Sequence, residues 1–145
     1  MSRSFIDYKD TYFEVGDRLM ILSLHFLKVI SEKDPVKPNW FEEYVEKVVD
    51  VIIEVKPIGW IVLDLDQYFI DSGRIAYFVD LIEQTKVFLL GKKYVYVYEL
   101  NEILSREGSK TIEFENFQLK TSLLIAVLDQ LKGLLHGEGE RSPMD

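Results

Sequence analysis

The stretch VLDLDQYFIDSG, residues 62–73, gathers three carboxylates and a hydroxyl: Asp64, Asp66, Asp71 and Ser72. Two kinds of chemistry could use such a set. Carboxylates spaced as Asp64 and Asp66 are can serve as nucleophile, acid/base or metal ligand. Alternatively, Asp64 and Asp66 end a strand on its solvated side, and Asp71 with Ser72 caps a helix. Asp and Ser suit that place because their side-chain oxygens accept the free N–H groups of a first helical turn. The second arrangement presents one serine to solvent at a strand-to-helix turn. Other catalytic material is scarce. There is no cysteine, and His25 and His136 are the only histidines. Thiolate sites, disulfides and His-based metal sites or triads therefore find little to build on, and no cofactor or metal is expected.

The elements that must position these residues can be read from the apolar pattern. The chain has 145 residues, enough for one domain with a core and little room for two. We expect that domain over residues 1–135 and a disordered tail, HGEGERSPMD, over 136–145. The Gly16-Asp17 pair reads as a turn between a short strand at 12–15 and a buried strand over the apolar run LMILSLHF, which contains His25. A helix should start near Asn39, with Glu42 placed for a capping box, and carry Tyr44, Val45, Val48, Val49 and Ile52 on one face. Pro57 and Gly59 should end it. Ile61, Val62, Leu63 and Leu65 read as a strand, and residues 73–87 as a helix with Ile75, Phe78, Val79 and Ile82 on one side. KYVYVY (93–98) is a strand, residues 99–108 a short helix closed by Gly108, TIEFENF (111–117) a strand, and 118–135 the last helix. The expected class is α/β: a mixed sheet of about five strands with four helices, in the order β-β-α-β-α-β-α-β-α. In such sheets functional groups gather at the carboxyl ends of strands, where Asp64, Asp66, Asp71 and Ser72 would lie.

Charge narrows the partners. With 25 acidic and 17 basic side chains the net charge is −8, which opposes binding to a phosphate backbone or an anionic membrane surface. Tyr94, Tyr96 and Tyr98 alternate as a base-stacking platform would, but they lack basic company, so no nucleic-acid partner is expected. The N-terminus has no apolar signal core, and no uncharged stretch reaches the roughly 20 residues of a membrane span. A cytoplasmic location follows as an expectation. The last helix is apolar nearly all round (Leu119, Leu123, Leu124, Ile125, Val127, Leu128, Leu131), which points to a homodimer or partner interface.

Two family resemblances attach to the opening stretch. An apolar strand followed by Asp64-x-Asp66 is similar to haloacid dehalogenase-like phosphatases, and that resemblance implies a magnesium-assisted phosphatase using both aspartates. Tyr68 stands where that family has Thr or Val, and some sixty residues precede a motif that normally opens the chain. The longer match is to the STAS family of sulfate-transporter domains and anti-sigma factor antagonists. IVLDLDQYFIDSGRI (61–75) resembles that family's strand, turn and phosphoacceptor segment, and the order of elements over residues 12–135 is similar too, with Ala126 in its last helix. The resemblance implies a non-catalytic regulatory domain. Asp64 would be the strand-end aspartate and Ser72 the serine phosphorylated by a partner kinase. Asp71, Ser72, Gly73 and Arg74 would contact the partner, an anti-sigma factor or histidine-kinase-like serine kinase. The static version is an assembly domain without phosphorylation. Gly73 replaces the family's second hydroxyl, Arg74 takes its usual glycine place, and SLHFLKVISEKDPVKP is a longer loop than the family's. Arg74 reads either as a solvated first-turn arginine or as a counter-charge for phosphoserine.

Overall fold

The computed structural model describes residues 2–92, 94–96 and 118–141. The chain opens with a hairpin: β1 (Arg3–Tyr8) and β2 (Thr11–Gly16) pair antiparallel, from Arg3 opposite Gly16 to Tyr8 opposite Thr11. Both strands alternate in burial. Ser4, Ile6, Tyr8, Thr11, Phe13 and Val15 are buried, while Arg3, Phe5, Asp7 and Glu14 are exposed. Lys9, in the two-residue turn, adopts a left-handed backbone with φ 55, as tight hairpins demand.

Residues Asp17–Ser31 then form α1, which corrects the expected strand over 19–26. A short continuous apolar run does not distinguish a buried strand from a buried helix. Here Leu, Met and Phe are compatible with a helix, Asp17 sits in the first turn and Lys28 in the last, where each favours the helix dipole. The run is apolar on every side because α1 is covered on several sides, by α3, α5, α6 and β2.

A helical stretch follows in three parts: α2 (Asn39–Tyr44), a single π turn (Val45–Val49) and α3 (Asp50–Val55). Asn39 is its first residue rather than its cap; Pro38 takes the capping place, with no side-chain bond. Lys56 closes the stretch in a left-handed conformation, its N–H bonded to the Ile52 carbonyl. Then come α4 (Leu65–Tyr68), α5 (Ser72–Leu90), β3 (Tyr94–Tyr96), β4 (Gln118–Lys120), α6 (Thr121–Leu135) and β5 (Glu140–Arg141). The expected helix at 99–108 and strand at 111–117 lie outside the described residues.

The class is mixed α/β, but the strands differ from expectation. Among the described residues one sheet has the order β1-β2-β5 and a second pairs β3 with β4, all antiparallel. A single mixed sheet of about five strands is not formed by them. Two losses account for this: residues 19–26 are helical, and residues 61–64 are extended without a ladder partner.

The core lies between the hairpin and the helices, with α1, α5 and α6 contributing Met20, Leu24, Phe26, Phe78, Ile82, Leu124, Leu128 and Leu131. Helix α6 spends its apolar side there. Leu124, Val127, Leu128, Leu131, Leu134 and Leu135 are buried, and Leu123 is its one exposed large apolar side chain. Helix α6 thus buries most of the apolar surface on which the expectation of a dimer interface rested. Lys132 reaches Glu83 of α5 at 2.7 Å, and Lys86 pairs with Asp129, so polar contacts rim the same α5–α6 contact. Part of the expected disordered tail is placed as well. Glu140 and Arg141 pair with Tyr12 and Thr11. Gly137 turns the chain with φ +80, and a Cβ on Gly139 would meet Leu134 at 2.6 Å and the Tyr12 carbonyl at 2.9 Å. Gly137 thus supplies a left-handed turn and Gly139 a close approach that a larger residue would block. No helix among the described residues is long and apolar enough to cross a membrane.

Candidate functional site

Residues 57–64 form a strap that passes beside the start of β1, bending at Ile58 and Gly59, where Gly59 takes φ +80. Trp60, Val62 and Asp64 are exposed while Ile61, Leu63 and Leu65 are buried, the period of two that a strand would show. Side chains take the place of a ladder. The Ile61 N–H donates to Ser4 Oγ at 3.1 Å, and the Leu63 carbonyl accepts from the Tyr44 hydroxyl at 2.8 Å. Ser4 donates in turn to buried Asp17, whose other oxygen accepts the Gly59 N–H at 2.7 Å. The hairpin base thereby fastens the start of the segment with both Asp17 oxygens satisfied, as a buried carboxylate requires.

Asp64 follows in a left-handed backbone, φ 51, a conformation that Asp tolerates better than most residues. Its carbonyl accepts from Gln67 and Tyr68 as α4 begins. Asp66 does not stand beside it as a second ligand. Its Oδ1 accepts the Lys9 N–H at 2.8 Å, tying α4 to the hairpin turn. Among the described residues no three His, Cys, Asp or Glu side chains come together as a metal-binding group. Asp66 thus anchors backbone through its carboxylate, whereas Asp64 contributes its carbonyl to the start of α4.

Tyr8 fixes the next point, its hydroxyl donating to the Phe69 carbonyl at 2.6 Å. Phe69 belongs to an aromatic cluster with Trp40, Tyr44 and Phe78, and its ring centre lies 4.8 Å from that of Phe78. Burial pushes the Tyr44 phenol far above its usual range, so its hydroxyl stays a donor at any ordinary pH. Tyr77, at the cluster edge, donates to Asp34 at 3.0 Å and is pushed up to about 12 by burial and by that bond.

The chain then emerges. Ile70, Asp71, Ser72 and Gly73 are all exposed. Asp71 caps α5, its Oδ1 accepting the Arg74 N–H at 2.8 Å. Ser72 is the first residue of that 19-residue helix, and no described group bonds its hydroxyl. The carboxylate does the capping, so the serine is left over. Arg74 is held by its own chain and is not freely solvated. Its Nη1 donates to the Tyr68 carbonyl at 2.9 Å, and its guanidinium lies 5.0 Å from the Trp40 ring centre. Its Nε is 4.0 Å from Asp71 Oδ2.

The structure thus places Asp64 at the end of the strap, Asp66 in α4, and Asp71, Ser72, Gly73 and Arg74 in succession at the start of α5. The anchoring roles of Tyr8, Tyr44, Asp17 and Lys9 were not legible in the sequence; Tyr44 showed only as part of a helix's apolar face. A separate open cavity of about 690 Å³, where the hairpin meets the end of α6, is lined by Arg3, Phe5, Tyr12, Glu14, Asp129 and Glu138 among others, and by none of the expected site residues. Compared with family models, curated proteins and solved structures, the chain finds no match.

Proposed function

We propose that this protein is a cytoplasmic, non-catalytic regulatory interaction domain, in which phosphorylation of Ser72 switches partner binding in the manner of the anti-sigma factor antagonists that residues 61–75 resemble. The observation that carries the reading is the division of labour at the start of α5. Asp71 supplies the cap and Ser72 stands exposed with an uncommitted hydroxyl. The reading rests on this local geometry and on the segment's resemblance, not on the sheet. A partner serine kinase would transfer the γ-phosphoryl group of ATP to Ser72 Oγ, releasing ADP and the hydroxyl proton. The product adds close to two negative charges at neutral pH beside Asp71, on a chain already at −8. A partner surface fitted to a neutral hydroxyl would lose affinity through repulsion and desolvation. Exposed Ile70, next to the cap, and Trp60 and Val62, on the strap, supply apolar area for such a contact. They equally favour the static reading, an assembly domain with no phosphorylation.

Incubating the protein with extract of its native cell and ATP, then mapping phosphosites by mass spectrometry, separates the two. The switch reading expects phosphate on Ser72 and none in the Ser72→Ala variant. An unlabelled Ser72, alongside a captured partner, leaves the static reading.

A further inference from the structure

His25 is 1% exposed, and neither ring nitrogen has a hydrogen-bond partner. Buried polar groups are nearly always bonded, and a neutral imidazole carries one donor and one acceptor, so this position leaves both unmet. Its charged surroundings are one-sided. Lys28, one turn along α1, and Lys56, at the close of α3, both oppose a positive charge on the ring. Asp50 of α3 is already paired with Lys28 at 2.7 Å. From β2, α5 and α6, which also pack on α1, the buried polar side chains are Thr11, Thr85 and Thr121, none of them ionic. Among the described residues, the one other buried acidic or basic side chain is Asp17, held by Ser4 and Gly59, so no described buried carboxylate is left to receive an imidazolium.

We propose that His25 is an acid-sensitive latch: its protonation parts α1 from the helical stretch 39–55 before the rest of the core opens. A charged ring there is desolvated without a partner, Lys28 repels it from the same helix, and Lys56 repels it across the seam. Burial, then Lys28 and Lys56, push His25 down to about 4, so the latch is closed at neutral pH and released in acid. The stretch ends at Lys56 and continues into the strap that leads to Ser72, which release would free at one end.

Proton NMR of the whole chain follows two imidazoles only, with exposed His136 as internal reference. We expect the His25 resonance to titrate near pH 4. Hydrogen-exchange protection factors should fall at least tenfold more over residues 39–55 than over α5 and α6 between pH 7 and pH 4. The variant His25→Phe should keep that protection at pH 4. If His25→Phe does not fold, His25→Gln takes its place, and the wild-type titration and exchange still decide. A His25 titration in the ordinary imidazole range overturns the proposal. So does protection lost in parallel over 39–55, α5 and α6, or lost equally in the folded variant.

Discussion

At the first turn of α5, Asp71 and Ser72 differ in role though both are exposed helix-start residues. Asp71 accepts the Arg74 N–H, so Asp71→Ala should lower unfolding free energy by about 0.5–2 kcal/mol. Ser72→Ala removes no bond and should stay within about 0.5 kcal/mol of wild type. Urea denaturation of the pair checks both values, and equal losses would contradict the assignment of the cap. His25 makes a second residue-scale prediction. Its folded pKa, about 4, lies below the unfolded value of 6.5, so between them the unfolded chain binds more protons. Stability is then complete above pH 6.5 and declines as pH falls toward 4. The drop is on the order of 3 kcal/mol from this group, at 1.36 kcal/mol per unit. Unfolding free energies at pH 7, 5.5 and 4 should show that slope in wild type and lose it in a folded His25→Phe variant. Ser72 was legible as the start of a helix, whereas the aspartates expected at a strand end follow a segment without a ladder, Asp64 in a left-handed conformation and Asp66 in α4. The Tyr68 and Trp40 contacts of Arg74 were not legible, because no local pattern marks a guanidinium that turns back on its own chain.

Among the elements, the strap over residues 57–64 holds its place by side-chain bonds to its backbone. Tyr44→Phe keeps the ring but strips the Leu63 carbonyl of its donor. An unmet buried acceptor costs about 1–3 kcal/mol, measurable by thermal or urea unfolding; a neutral result would mean that the bond does not hold the strap. Gly139→Ala should dislodge β5, since the added Cβ would press on the Tyr12 carbonyl and Leu134. Loss of amide protection at Tyr12 and Glu140, with the helices unchanged, would report it. The legibility of each element tracks its physics. Helix α5 had a cap and a period, and it appears over nearly the expected range. Helix α1 was taken for a strand because a run buried on all sides has no period to read. Strand β1 lay outside the expected elements because in RSFIDY apolar Phe5 and Ile6 are adjacent and the buried positions include Ser4, so hydropathy does not alternate where burial does. The strap showed strand periodicity, but a ladder needs a neighbour, and Ser4 and Tyr44 occupy the groups that would have formed one.

For the molecule as a whole, α6 serves as core and not as an uncovered interface. Leu128 is fully buried, so Leu128→Ala should cost about 2–5 kcal/mol by urea unfolding. A much smaller loss would mean that α6 is loosely seated. The proposed switch lies beyond the strap and α4, where Ile70, Asp71 and Ser72 are exposed and the hairpin and the 39–55 helices anchor the chain that leads to them. Partner affinity for Ser72→Asp against Ser72→Ala, with a partner captured from the native cell and both variants at matched stability, tests it. The switch predicts that Ser72→Asp binds at least about tenfold more weakly, roughly 1.4 kcal/mol, while Ser72→Ala binds as wild type does. Equal affinities for the two variants would contradict it and reduce Ser72 to an ordinary first residue of a helix.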